Sequence, residues 1–394
     1  MTFGVLALIA CAGLGGPLLA IAGRGAVPIV VGELAAGVLI GRTGLRWLDA
    51  GAPETAFLAA VGFAMVMLTA GMHVPIRQPG ISHGVRRGLI AAGIAGAVSV
   101  PAGYAIEAAL GQGRAAIYAL LLASGSAAIL LPILDERHLL ADARVLPLMA
   151  QVAIADVAAI VALPLVLQPG RAGKALLGGL AVTAAAAAVL LVAARLRGRP
   201  IVKRFRRASK RRGWALDLRV AMLVLFSLAW IAVRSGTSVL IAGFLAGLLI
   251  AVVGGPKRLS TQVRGIGAGF FVPLFFVVLG ARIDLRSLVH QPSMLALAAL
   301  LTVGNVVVHG VAALATRQPA ALALAATAQM GVPAGVVTLG LQEGVVTPGQ
   351  GGAIVLAALV TLALCPAGVA LLVRGQPATP GPPATPGPLP ALEA

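Results

Sequence analysis

The sequence predicts an all-α polytopic membrane protein with about thirteen transmembrane helices. Three observations carry that prediction. Of the 394 residues, 59% are hydrophobic and only 11% are charged, against about 25% charged in an average soluble domain. Mean hydropathy is +1.01, and the apolar runs are long and unbroken, unlike the alternating strands of a β-barrel. Gly (50) and Pro (25) are abundant, as expected where helices pack closely or break within a bilayer.

Taken in order, the candidate spans cover residues 3–22, 26–41, 54–72, 86–108, 115–135, 143–168, 173–196, 215–233, 237–253, 266–281, 292–315, 319–342 and 350–373. About twenty apolar residues cross the hydrocarbon core. The first run lacks a cleavable signal and reads as a retained anchor. The second is short and holds Glu33. The fifth is interrupted by Ser124-Gly125-Ser126 and Pro132, and the twelfth by Gly331, Pro333 and Gly335. Asp217 and Arg219 mark the interfacial start of the eighth span; His73, Glu107 and Asp284 lie at span ends. Cys11 and Cys365 both fall in apolar spans, which gives neither a disulfide nor a metal framework. Residues 374–394 repeat PATPGP and predict a disordered Pro-rich tail.

An internal repeat is visible. GELAAGVLI (Gly32–Ile40) resembles GFLAGLLI (Gly243–Ile250), and LTAGMHVPI (Leu68–Ile76) resembles VLGARIDL (Val278–Leu285). The breaks in the fifth and twelfth spans match as well. Spans 1–6 and 8–13 therefore read as two copies of one six-helix unit, with the seventh span and its loop (173–213) between them. A single linking span inverts the second copy, and two interrupted helices then cross in the core.

The formal charge is +18, but its placement argues against nucleic acid: ten cations fall between Arg195 and Arg212, in one loop. That is a positive-inside signal and an attraction for anionic lipid headgroups. With the N-terminus outside, twenty-one Lys and Arg fall on the cytoplasmic side and eight on the other. The C-terminus is then cytoplasmic and the membrane is the cell's inner (plasma) membrane.

The chemistry centres on Ala143–Leu167. Apart from Arg144 at its entry, this span has one charge, Asp156, at its middle. A carboxylate at that depth costs roughly 2.5–3.5 kcal/mol on insertion scales and marks a functional site by default. In hydrocarbon a carboxylate favours its neutral form and ionises when water or a cation reaches it. Asp156 is therefore the expected place for a proton or a transient monovalent cation. Ser124 and Ser126 offer hydroxyl oxygens beside a break whose half-helix ends present partial charges; the alternative is that small residues permit close packing there. Gln151 lies five residues before Asp156. Asn305 and His309 are spaced i and i+4 and share a face; a membrane histidine is either a proton shuttle or a satisfied structural group. Glu33 reads as a scaffold residue or a second carboxylate on the ion path. No P-loop, nucleophile elbow or zinc spacing is present, so neither an enzyme nor a cofactor is expected.

With these residues in hand, the chain resembles the monovalent cation:proton antiporter superfamily, closest to its bacterial sodium/proton and potassium-efflux branch. The resemblance covers nearly all of residues 3–373 and rests on Val30–Gly41, Gln151–Leu165 and Phe270–Leu285, with Ser124–Glu136 similar to the family's crossover segment and Ser126 at its usual Thr position. It implies a sodium/proton antiporter-like fold and an elevator mechanism: core transport spans over 86–168 and 292–373, and a dimerising scaffold over 3–72 and 215–281. Asp156 matches the ion-binding aspartate. Two departures stand out: Ala155-Asp156 replaces Asn-Asp or Asp-Asp, and Asn305 stands nearest the Lys of electrogenic members. One carboxylate without a membrane Lys implies exchange of one proton for one sodium or potassium ion, with no net charge moved. The runner-up readings are efflux of an organic solute or ion–ionophore complex, a gated channel or uniporter on the same scaffold, and a non-transporting receptor.

Overall fold

A computed structural model describes residues 2–22, 28–74, 81–140, 142–196, 199–254, 257–283, 286 and 290–374. Arg24, Asp284 and the Pro-rich tail beyond Arg374 lie outside the described residues. All regular structure within them is helical. In hydrocarbon each N–H and C=O must find its partner within the chain, and a helix does this segment by segment.

The first apolar run bends at Leu14 into α1 (Phe3–Gly13) and α2 (Gly15–Ala22). Then come α3 (Ile29–Ile40), α4 (Pro53–Met72) and α5 (Ile81–Leu110). The fifth span is broken as expected, into α6 (Ala115–Ala123) and α7 (Ala127–Glu136). Next, α8 (Leu146–Leu167) carries Asp156 and α9 (Ala172–Leu196) leads to the basic segment. That segment is not a plain loop: residues Pro200–Arg212 form α10, which Gly213 closes in the left-handed conformation.

The second half contains α11 (Leu216–Arg234), α12 (Val239–Val253), α13 (Lys257–Ile266) and α14 (Val272–Arg282), with a π-helical turn at Gly267–Phe271. Then α15 (Pro292–Ala315) precedes a second broken span, α16 (Ala320–Ala326) and α17 (Gly331–Gln342), and α18 (Pro348–Arg374) ends the bundle. Among the described residues, ten helical stretches are long and apolar enough to cross a membrane, and three shorter apolar stretches lie at residues 29–40, 115–131 and 239–253. The chain is a multi-pass membrane protein.

Two packed groups result. In one, α3 lies along α14 and α4 along α12. The backbones approach closely: a Cβ on Gly37 would sit 2.1 Å from the Val277 carbonyl oxygen, and one on Gly247 2.1 Å from that of Leu68. Thr43 donates to the carbonyl of Ile283 (2.8 Å), closing the same contact at its end. In the other group α5 packs on α6, α8 and α15, while α18 packs on α15, α16 and α17. Burial separates inside from outside. In the most apolar 18 residues of the broken span Ala320–Gln342, 78% of the residues are buried, against 22% in Leu216–Arg234, which presents Leu223, Phe226, Trp230 and Val233 outward. A helix face of that kind belongs against lipid.

At one end of the second group, polar side chains tie the two halves together. Gln112 Oε1 accepts from the Tyr118 hydroxyl and from Gln350 Nε2, both at 2.8 Å. Glu107 accepts from the backbone N–H groups of Gly113 and Arg114. At the other end, before α8, Arg144 holds Asp142 in an ion pair at 2.6 Å, which lowers the Asp142 carboxyl below its ordinary range.

Candidate ion-exchange site

The two breaks face each other beside α8. Ser124, Gly125 and Ser126 interrupt the fifth span; Thr327, Ala328, Gln329 and Met330 interrupt the twelfth. Each break frees backbone groups that a continuous helix would satisfy, and the two together expose four half-helix ends. Ser124 closes part of that gap. Its hydroxyl donates to Gln329 Oε1 at 2.7 Å and lies 3.0 Å from the Leu121 carbonyl. Ser124 is fully buried, so this contact joins the two broken spans in the interior. In the second break, the Thr327 hydroxyl donates back to Leu324 O at 2.7 Å.

Asp156 stands where α7 begins. Its carboxylate is 3% exposed, and Oδ2 accepts from the Ala127 N–H at 3.4 Å. Ala127 is the first residue of α7 and Ser126 is its N-cap. The free amides and positive partial charge of a helix start favour a negative group there. Ser126 is buried at that cap. The approach of α8 is close, since a Cβ on Gly125 would sit 3.2 Å from Val152. No group of three or more His, Cys, Asp or Glu side chains converges among the described residues. A carboxylate that accepts one backbone N–H at a helix start does not make up the ligand set of a resident metal.

The remaining predicted residues form a second polar path, one turn and more from Asp156. Gln318 Nε2 donates to Gln151 Oε1 at 3.3 Å. The Gln151 amide meets His309 Nδ1 at 3.3 Å, and His309 Nε2 meets the Ser124 carbonyl at 3.4 Å. A donating Gln151 makes Nδ1 the acceptor. The ring is then the neutral tautomer with its proton on Nε2, pointing at Ser124. Asn305 donates to the Leu121 carbonyl at 3.5 Å, while its own Oδ1 is buried without a partner. Thus Ser124, Gln151, Asn305 and His309 gather on α6 and its break, not on Asp156 itself. Glu33 belongs to the other packed group, on α3.

Sequence reasoning missed Gln329 and Gln318. Gln329 had one usable signal: it is the polar amide in an unwound stretch of an otherwise apolar span. Gln318 had none, because a Gln beside Arg317 at a span end reads as interfacial.

Residues 6–375 match the family described as "Sodium/hydrogen exchanger, transmembrane". The "Probable Na(+)/H(+) antiporter 3" of Methanocaldococcus jannaschii is 26% identical over 267 residues, 66% of each chain. The "Glutathione-regulated potassium-efflux system protein KefC" of Cronobacter sakazakii is 29% identical over 271 residues, 67% of this chain and 42% of that protein. The chain spans 58%, 66% and 42% of the lengths of the first curated relatives it matches. Among solved structures, the sodium proton antiporter MjNhaP1 of Methanocaldococcus jannaschii is similar in fold. Its TM-score is 0.63 at 17% identity, covering 95% of this chain and 99% of that one.

Proposed function

The chain belongs to the sodium/hydrogen exchanger family, and from that premise we propose that it exchanges protons for a monovalent cation at Asp156. One observation carries the reading: a lone buried carboxylate meets the start of a half-helix at the crossing of two broken spans. A proton and a cation compete for that carboxylate, so each site turnover carries one or the other. Sodium and potassium are the candidate cations, in keeping with the names of the relatives. Ser126, Ser124 and Gln329 supply neutral oxygens near the crossing for the dehydrated ion.

Alternating access follows an elevator in this reading. The group built on α5–α8 and α15–α18 carries the site, and the group built on α1–α4 and α11–α14 stays fixed and joins two protomers. The pairing of α3 with α14 and of α4 with α12 supports the inverted repeat, because exchanging the two halves maps one pair onto the other. With Ala155 beside Asp156 and Asn305 in place of a membrane Lys, the site exchanges one charge for one charge. The protein sits in the inner (plasma) membrane with its N-terminus outside and C-terminus in the cytoplasm, and the cations of α10 rest on anionic headgroups.

The decisive experiment uses reconstituted vesicles with an imposed proton gradient. Sodium or potassium added to wild type should dissipate the gradient, and Asp156→Asn should not. An Asp156→Asn protein that exchanges like wild type would place the ion elsewhere and end this reading.

A further inference from the structure

The break after α6 removes a turn of helix, and α15 supplies the donors of that turn. In an unbroken helix the carbonyl of Leu121 would accept from the N–H of Gly125, and that of Ser124 from the N–H of Ala128. Here the side chains of Asn305 and His309 reach those two carbonyls, at 3.5 Å and 3.4 Å. The donors are four residues apart on α15, a rise of about 6 Å, and the acceptors three apart, a rise of about 4.5 Å. Asn305 and His309 are both buried, so they do at this helix end what water does at an exposed one.

A chain of hydrogen bonds fixes which nitrogen of His309 carries the proton. Thr316 Oγ1 donates to the Ala312 carbonyl at 2.7 Å, so it can only accept from Gln318 Nε2, 2.9 Å away. The same Gln318 nitrogen donates to Gln151 Oε1, which turns Gln151 Nε2 toward His309 Nδ1. Nδ1 is therefore the acceptor and Nε2 the donor, facing a Ser124 carbonyl that can only accept. A second proton on the ring would set N–H against N–H at Gln151. Relieving that clash means turning over both amides, Gln151 and Gln318, and taking the Thr316 hydroxyl away from Ala312. The ring's partners are Gln151 on α8 and Ser124 at the break; among the described residues no charged side chain is hydrogen-bonded to it.

We infer that His309 is a positioning residue of the exchange site: a neutral N–H donor that, with Asn305, holds the open end of α6 and does not carry the transported proton. It acts through Ser124. With the Ser124 carbonyl pinned, the hydroxyl stays on Gln329 at 2.7 Å and the two broken spans stay joined beside α8. The role in exchange rests on the proposed function at Asp156; the hydrogen-bonded cap does not.

The test compares His309→Gln with His309→Leu in reconstituted vesicles, alongside nitrogen NMR of the wild type in lipid. Glutamine offers an N–H donor and an oxygen acceptor in place of Nε2 and Nδ1, but it cannot carry a proton at neutral pH. His309→Gln should keep the wild-type cation KM and pH profile. His309→Leu should raise KM about tenfold, the scale of one buried hydrogen bond lost. The spectra should show the His309 ring as one neutral tautomer protonated at Nε2, and Gln151→Leu should mix the two tautomers. A pH profile that shifts or collapses in His309→Gln would make His309 a proton carrier and overturn the proposal. So would a doubly protonated ring, a neutral ring protonated at Nδ1, or a wild-type KM in His309→Leu. If His309→Leu fails to fold, His309→Gln and the spectra decide. A wild type without exchange would end the reading of Asp156 and the exchange role of His309 with it, and the spectra would still decide on the cap.

Discussion

A buried hydroxyl, Ser124, holds the two broken spans together, and its removal gives the most local prediction. Ser124→Ala leaves Gln329 Oε1 without its Ser124 donor in a buried position. The expected cost is about 1–3 kcal/mol, read as a lowered unfolding midpoint of the purified protein. Asp156 makes a different prediction, about pH. If proton and cation share one carboxylate, the apparent KM for the cation should rise in proportion to proton concentration on the acidic side, while the maximal rate stays constant. Initial rates in vesicles at several internal pH values check this. A maximal rate that falls with the KM unchanged would mean that the proton acts at another group. At this scale the sequence was readable only where a residue broke a rule by itself. Asp156 did so as one charge in a long apolar span. Gln329 meets Ser124 across 205 residues of chain, and no spacing rule reaches that far.

Helices are set by composition, and their mutual approach by where side chains are missing. Gly37 shows the second effect. Any side chain there collides with the Val277 backbone, and backbone cannot rotate away as a side-chain tip can. Gly37→Leu should cost roughly 3 kcal/mol through forced separation of α3 and α14. Gly93, inside α5, has nothing within 4 Å of its would-be Cβ, so Gly93→Ala should be neutral or stabilising by about 0.5–1 kcal/mol. Thermal unfolding of the two variants side by side separates the cases. The long spans were legible in hydropathy and the two interrupted spans in their Ser, Gly and Pro residues, although the second break falls at Thr327–Met330 and leaves Gly331, Pro333 and Gly335 inside α17. The π-helical turn and α10 were not. The first leaves no mark in hydropathy. The second was hidden because its ten neighbouring cations read as a topology signal, although Ile201 and Phe205 project from it as exposed apolar residues.

For the whole molecule the expectations concern charge and direction. A one-for-one exchange moves no net charge, so clamping vesicles at different membrane potentials should leave the exchange rate unchanged. A rate that follows the potential, with measurable current, would refute that stoichiometry. Orientation has its own check. A reporter that works only in the cytoplasm should be active when fused after Arg374, and one that works only outside should be silent there. The opposite pattern would overturn the orientation drawn from counting cations.

The contact of α3 with α14 has a consequence in time. Thr43 and its acceptor Ile283 are 240 residues apart in the chain. At a synthesis rate of about 5–20 residues per second, α3 is complete for roughly 10–50 s before its partner leaves the ribosome. Through that interval the glycine face of α3 waits in the bilayer uncovered, in the company of lipid and other nascent spans. Whatever shields it then, an insertion factor or a neighbouring helix on loan, must let go more readily than α14 binds. The newborn half-protein, more than the finished one, is where a bulky residue at Gly37 should first be noticed by the cell.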